Sequence, residues 1–200
     1  MRHFEESKSG SLGQESFALN ITKEKRNGWY VELGAFHSVN GSNTWLLENG
    51  YDWRGVSLDI VPAFVEEFNA NRKNRCELGD ALTFDYKRYF EVYQFPKQID
   101  YLQVDVDSGY DDKGNPVGNP NQSLLALIAL PLNTYRFTTI TFEHDGMSDY
   151  KSAPMRDAQR EILTSLGYKL VQRHTFEDWW VDPNVVPYTE FKEYFFMGAP

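Results

Sequence analysis

Cysteine is almost absent: Cys76 is the one thiol in 200 residues. This excludes an internal disulfide framework and any zinc or iron–sulfur centre built from several thiolates, and Cys76 itself reads as a small, half-buried hydrophobe. No run approaches about 18 consecutive apolar residues, so no membrane-spanning helix is expected. Residues 1–16 lack a basic region followed by an apolar run, so no secretory signal is expected either. The default expectation is a soluble, cytoplasmic protein. Positive charge is also short, with 20 Lys and Arg against 29 Asp and Glu and a net charge of −9. An acidic surface repels phosphate backbones, which makes a nucleic-acid partner a poor expectation, although a local basic groove is compatible with an acidic total.

The composition, 41% hydrophobic with 16% aromatic residues, is that of a globular chain. Its length suits a single domain over residues 1–200, with residues 1–11 polar and loose. Phe17, Leu19 and Ile21 place a helix between Leu12 and Lys25, stopped at Asn27-Gly28. A regular alternation follows. Strands are predicted at Trp29–Phe36, Gly55–Ile60, Cys76–Leu82, Ile99–Asp107, Phe137–His144, Tyr168–Arg173 and Phe191–Met197. Helices are predicted at Ser42–Asn49, with Ser42 as its cap, at Pro62–Arg72, at Ser123–Leu130 and at Ala153–Leu166, the last closed by Gly167. Ser108–Gln122 is rich in Gly, Asn, Pro and Asp and reads as a loop over the active site. The fold expected is α/β: a mostly parallel, seven-stranded, Rossmann-like sheet with helices on both faces. Ligands of such sheets bind beyond the carboxyl ends of the strands, where strand order reverses.

Polar and glycine residues sit at those ends. The first strand closes on Glu32, Leu33 and Gly34; the second on Asp59, 25 residues after Gly34; the third leads to Gly79-Asp80-Ala81. A carboxylate at the second strand's tip suits the two hydroxyls of a ribose, and Asp80 suits the exocyclic amine of an adenine. The pattern by itself fits a nicotinamide dinucleotide as well as S-adenosylmethionine. Two glycine motifs are missing, however. Gly34 is followed by Ala35, Phe36 and His37, with the next glycine at Gly41, so the G-x-G-x-x-G cradle for a pyrophosphate is not supplied; nor is a P-loop. A nucleoside without phosphates fits better.

Several segments together resemble the FkbM-type family of class I methyltransferases: Val31-Glu32-Leu33-Gly34-Ala35, Gly41-Ser42-Asn43-Thr44, Trp53-Arg54-Gly55, Ser57-Leu58-Asp59, Ile99 to Asp107, Ile140 to Asp145, and Glu177 to Pro183. The resemblance covers nearly the whole chain. It implies a class I methyltransferase fold and S-adenosylmethionine-dependent O-methylation of a sugar or other small metabolite. It further implies a cofactor site made of Gln14, Glu32, Gly34, Ala35, Asn43, Asp59, Ile60, Asp80, Ala81 and Asp105. Glu32 and Gly34 would face the methionine part, Asp59 the ribose, Asp80 and Ala81 the adenine, and Asp105 the sulfonium and amino group. Gln14 would reach the cofactor from the first helix, with Glu15 departing from the family's usual Asp.

The fourth and fifth strands end in Asp105, Asp107, Glu143 and His144. Asp105 and Asp107, two apart on a strand, would share a face. Methyl transfer needs the acceptor oxygen in line with the methyl and a route for its proton. His144, Glu143 and Asp107 are the candidate catalytic groups, His144 as the base. Alternatively Asp107, Glu143 and Asp178 would hold Mg²⁺ or a similar hard ion that acidifies the hydroxyl. Each of these residues also has a structural alternative, as a cap, a solvated strand end or a backbone-bonded histidine. Trp179 and Trp180 suit a loop anchor, or a platform for a sugar ring. Other readings stay open: a nucleic-acid or protein acceptor, a non-catalytic cofactor-binding domain, and a dehydrogenase. No Asn/Asp-Pro-Pro-Tyr/Phe run of the amino-methylating kind stands at the fourth strand's end. Without a separate substrate domain, acceptor recognition falls to the first helix, the 108–122 loop and the 145–155 and 174–190 segments, or to a second subunit of a homodimer.

Overall fold

Trp29–Leu33 alternates in a way that decides which face of the sheet is which. Val31 and Leu33 point to one side, Tyr30 and Glu32 to the other. The computed structural model describes residues 13–107, 121–144 and 153–192. In it this segment is β1, central in a seven-stranded sheet of order β3-β2-β1-β4-β5-β7-β6. β2 (Arg54–Asp59), β3 (Arg75–Leu78), β4 (Gln98–Val104) and β5 (Arg136–Glu143) continue the parallel part. β6 (Lys169–Arg173) and β7 (Glu177–Val181) form a hairpin, and β7 enters antiparallel between β5 and β6. Strand order reverses between β1 and β4, so the crevice expected of open α/β sheets lies beyond Leu33 and Val104.

The face of Val31 and Leu33 is apolar throughout: Val56, Leu58, Leu102, Val104, Ile140, Phe142 and Trp180 join them in the main core. Tyr86 and Phe90 of α4 (Tyr86–Val92), Ala126 and Leu127 of α5 (Gln122–Ala129), and Leu163 of α6 (Ala153–Ser165) cover that face. The opposite face is half polar. Ser57, Glu32, Gln103, Thr141 and Trp179 stand side by side across five strands. α1 (Gln14–Ile21), α2 (Trp45–Tyr51) and α3 (Pro62–Asn71) pack there, through Phe17 on Trp179, Leu47 beside Tyr30 and Tyr101, and Phe68 beside Cys76. Among the described residues no helix is long and apolar enough to cross a membrane.

Four expectations are corrected. The seventh strand is not Phe191–Met197. Tyr188–Phe191 is a short helix, α7, after Pro187, residues from 193 on lie outside the described residues, and the seventh strand is Glu177–Val181. Trp179 and Trp180 are 1% exposed and are core residues of that strand rather than a sugar platform. The first helix ends at Ile21, because the Thr22 hydroxyl turns back to Ala18 O at 2.7 Å and Lys23 and Glu24 take positive φ. The fourth strand ends at Val104, short of Asp105 and Asp107, so alternation does not place those two on one face. α4 went unread altogether. The loop expected over 108–122 lies outside the described residues except for its last two positions, as do residues 1–11.

Gly34 has φ +87, and a Cβ there would sit 1.7 Å from the Asp105 carbonyl oxygen. Its bare Cα lets β1 and β4 stay paired past their ends, where Asp105 N–H donates to Leu33 O at 2.9 Å. Gly34→Ala is expected to lose at least about 2 kcal/mol of stability, from left-handed strain plus the clash, measured as a lowered urea midpoint.

Candidate functional site

The segment from Gly34 to Leu46, between β1 and α2, is where a dinucleotide enzyme would hold phosphates. Here eight of its N–H groups bond within the protein. Gly34 and Ala35 both donate to Leu58 O, at 3.0 and 3.1 Å. Phe36 N–H donates to Asp59 Oδ2 at 2.9 Å, Ser38 N–H to Glu67 Oε2 at 2.8 Å, and Ser42 N–H to Val39 O at 3.2 Å. At the start of α2, Ser42 Oγ accepts from Thr44 and Trp45, and the Glu15 carboxylate from Leu46 at 2.6 Å. A buried acid already occupies this helix N-terminus, so a phosphate would meet both a satisfied backbone and a like charge.

Beneath this loop lies a charged network. Arg72 Nε donates to Glu48 Oε2 at 3.0 Å; its Nη1 reaches Ser38 O and Ser42 Oγ, and its Nη2 reaches Thr44 Oγ1 at 3.0 Å. The guanidinium also lies over the Phe68 ring, 4.5 Å from its centroid. Thr44 Oγ1 and Ser57 Oγ donate to Glu32 Oε2. Glu32 is fully buried, and burial pushes its carboxyl up to about 7 against the pull of Arg72. The structure therefore places Glu32 inside the wall of the site, bonded to the loop. Asn43 is buried in the same wall, and Ala35 is packed on Val65 and Phe68.

Asp59 stands at the open edge. Its Oδ2 holds Phe36, which has φ +49, and its Oδ1 holds Val61 N–H at 2.8 Å. One carboxylate thus fixes the exits of both β1 and β2. Around it the surface is apolar: Ile60 is 66% exposed, Leu78 57% and Phe36 52%. Asp80 caps its own turn through Leu82 N–H at 2.8 Å, and Tyr86 Oη donates to the carbonyl of Ala81 at 2.6 Å. Asp59, Ile60, Asp80 and Ala81 are so brought to neighbouring tips of β2 and β3, a carboxylate-bearing surface with an apolar floor.

The other end of the crevice lies beyond β4 and β5. Asp105 follows Val104, Val106 N–H is held by Ser123 Oγ at 2.9 Å, and Asp107 is exposed. Glu143 closes β5 and pairs in register with Glu177 of β7. His144 is 2% exposed; its main-chain N–H donates to Phe176 O at 2.7 Å, and its Nε2 lies 3.8 Å from Asp178 Oδ1. Asp178 is fully buried and grips Arg160 through both oxygens, at 2.6 and 2.7 Å, with Gln159 as a further donor. Its carboxyl is held below the usual range despite burial, by bonds to His144 and Arg160. Asp178 is therefore an ion-pair partner. The divalent-metal set of Asp107, Glu143 and Asp178 is not assembled: among the described residues no three His, Cys, Asp or Glu side chains group to hold an ion.

Gln14 is 4% exposed, and its Nε2 donates to Glu177 Oε2 at 3.2 Å. Glu177, Arg72, Glu48 and Glu15 escaped the sequence reading. For Arg72 and Glu48 no local pattern signals a clamp between two helix ends. Glu177 was quoted only within a family-like segment, and its position depends on the reversal of β7.

Breaking the clamp with Arg72→Met strands two buried carboxylates and is expected to lose about 3–5 kcal/mol, read by denaturant titration. Glu32→Gln should reveal a pH dependence. The folded state holds the Glu32 proton up to about 7 while the unfolded chain releases it near 4.5. Between those values wild type loses stability relative to the variant as pH rises; a constant gap from pH ~4.5 to ~7 would contradict this.

No protein-family model matches the chain, and no curated protein matches it. Solved structures do. The human methyltransferase 10 domain containing protein aligns with a TM-score of 0.53 at 10% identity, over 85% of this chain and 80% of that one. A putative rRNA-methylase from Clostridium thermocellum gives 0.51 at 12% identity, over 84% and 92%. Fibrillarin from Aeropyrum pernix, solved with natively bound S-adenosyl-L-methionine, gives 0.51 at 14% identity, over 86% and 74%. The sheet order, the reversed β7 and these likenesses together show that the chain has the Rossmann-like fold of class I S-adenosylmethionine-dependent methyltransferases.

Proposed function

We propose that the chain is a cytoplasmic S-adenosylmethionine-dependent methyltransferase of the FkbM type that methylates a hydroxyl on a sugar or other small metabolite. The observation that carries this reading is the internal bonding of the β1 exit and of the start of α2. The N–H groups of Gly34, Ala35, Phe36, Thr44, Trp45 and Leu46, where a pyrophosphate would be cradled, already bond within the protein, whereas the apolar floor around Asp59 suits a phosphate-free nucleoside. In this reading Asp59 accepts from the ribose hydroxyls, Asp80 and Ala81 frame the adenine against Ile60, and Asp105 faces the amino acid end. Glu32, Gly34, Ala35 and Asn43 shape the wall behind the cofactor. When bound, S-adenosylmethionine supplies the electrophilic methyl group.

The acceptor's proton has a route in the chain's own residues. His144 follows Glu143 at the tip of β5, its Nε2 3.8 Å from the Asp178 that Arg160 holds, and Asp107 lies beyond the end of the neighbouring β4. His144 is the proton acceptor in this scheme, and the carboxylates orient the hydroxyl. The reading routes no step through a divalent ion. The net charge of −9 favours a small acceptor over a polyanion, even though one protein of similar fold is a putative rRNA-methylase.

Calorimetric titration tests the cofactor: S-adenosylhomocysteine should bind wild type, NAD should not, and Asp59→Ala should weaken binding about 10- to 100-fold. That range corresponds to about 1.4–2.8 kcal/mol, the net worth of one charge-assisted hydrogen bond. Transfer of labelled methyl to a panel of sugars, glycosides and total RNA then identifies the acceptor class. Wild type that ignores S-adenosylhomocysteine would sink the proposal; label found in RNA alone would sink the choice of acceptor.

A further inference from the structure

Because β7 runs against its neighbours, its first residue stands where the parallel strands end. Glu177 pairs with Glu143 of β5, and Asp105 lies one strand further in. Strand alternation puts Glu177 and Glu143 on the face covered by α1, and the Asp105 carboxylate is close enough to act on Glu177. Glu177 is 2% exposed. It accepts from Gln14 Nε2 at 3.2 Å and faces the Trp179 indole. The groups around it are Asp105 and Tyr101 from β4, Glu143 from β5, Glu15 from α1, Asp178 on its own strand, and His174 in the turn before it. Asp178 is committed to Arg160 and Glu15 to Leu46 N–H. No Lys or Arg among the described residues pairs with Glu177. Burial, with Asp105 and Asp178 adding repulsion, pushes its carboxyl up to about 7, against the bonds from Trp179 and Gln14.

A second observation points to a ligand. Gln14 is 4% exposed, its amide nitrogen is spent on Glu177, and its Oε1 has no partner. A buried carbonyl oxygen without a donor is costly, and this one sits beside a buried carboxyl without a cation. A single positively charged, hydrogen-bearing or electron-poor head would relieve both.

We infer that Glu177 is the counter-charge for a cationic nucleoside ligand: it carries a proton in the ligand-free protein, releases it to solvent as a sulfonium or ammonium head binds, and regains it when a neutral thioether takes that place. The step balances, since one proton leaves the carboxyl as one positive charge arrives, and the site's net charge stays constant. The inference rests on the reading in the preceding section and deepens it: the difference between cofactor and spent cofactor becomes a difference in proton affinity.

Calorimetric titrations at about pH 6 in two buffers of unlike ionisation enthalpy, with S-adenosylmethionine, sinefungin and S-adenosylhomocysteine, count the protons exchanged. The two cationic ligands should release a larger fraction of a proton than the neutral one. Their affinity should rise by up to about tenfold per pH unit below 7, while that of S-adenosylhomocysteine changes less. Glu177→Gln should bind all three and lose the difference. Equal proton release by all three ligands, or a difference that survives in Glu177→Gln, overturns the inference while leaving the cofactor reading intact. Failure of all three to bind wild type overturns both. Should Glu177→Gln not fold, infrared difference spectra of wild type decide. A protonated-carboxyl band must vanish with S-adenosylmethionine and persist with S-adenosylhomocysteine.

Discussion

The Arg72 guanidinium organises the segment between β1 and α2. One cation, buried where α3 ends, binds Glu48 of α2 together with Ser38, Ser42 and Thr44 of the loop that leads into it, and Thr44 passes the contact on to Glu32 of β1. The loop between β1 and α2 has no glycine-rich turn to set its path. Its course is instead dictated by a charge that must be satisfied in a medium where charges are expensive. Asp59 adds the second constraint by fixing Phe36 and Val61 with its two oxygens. Hydrogen bonds that hold the loop in this way are unavailable to a ligand.

The two faces of the sheet divide the labour. The face of Val31, Leu33, Val104 and Ile140 is apolar and is sealed by α4, α5 and α6; it supplies the hydrophobic burial that holds the fold. The other face carries Ser57, Glu32, Gln103 and Thr141 in a row, and above that row the strands open into Asp59, Asp105, Glu143 and Glu177. His144 and Asp178 belong to the apolar side, where Arg160 of α6 neutralises the aspartate. One face therefore brings four carboxyls to the strand ends, and the other a histidine–aspartate pair held by Arg160.

Much of this was readable in the residues. The alternation of β-branched runs with amphipathic segments located six of the seven strands, and the acids at Asp59, Asp80 and Asp105 announced strand ends. The misses have physical causes. α4 is short, but Asp85 caps it by accepting from Arg88 N–H at 3.1 Å, and Tyr86, Tyr89 and Phe90 recur at helical spacing, a signal present and passed over. β7 begins with two acids and contains two tryptophans, and nothing local distinguishes a doubly buried strand of that composition from an anchored loop. Asp178 read as a metal ligand because a carboxylate near other carboxylates does; its partner Arg160 lies on a helix 18 positions away and meets it only after the hairpin forms. Glu32 read as a ligand-facing acid because it ends a strand, yet the row it belongs to is roofed by α2.

The bond between Gln14 and Glu177 joins residues 163 positions apart. α1 comes first among the described elements and β7 is the last strand, so the two groups meet only after both the parallel sheet and its closing hairpin exist. During synthesis β1, β2 and β3 emerge well before residue 177. A ribosome-bound fragment that ends before β7 would thus leave Gln14 without its carboxyl partner, which ties the burial of α1's first residue to completion of the fold.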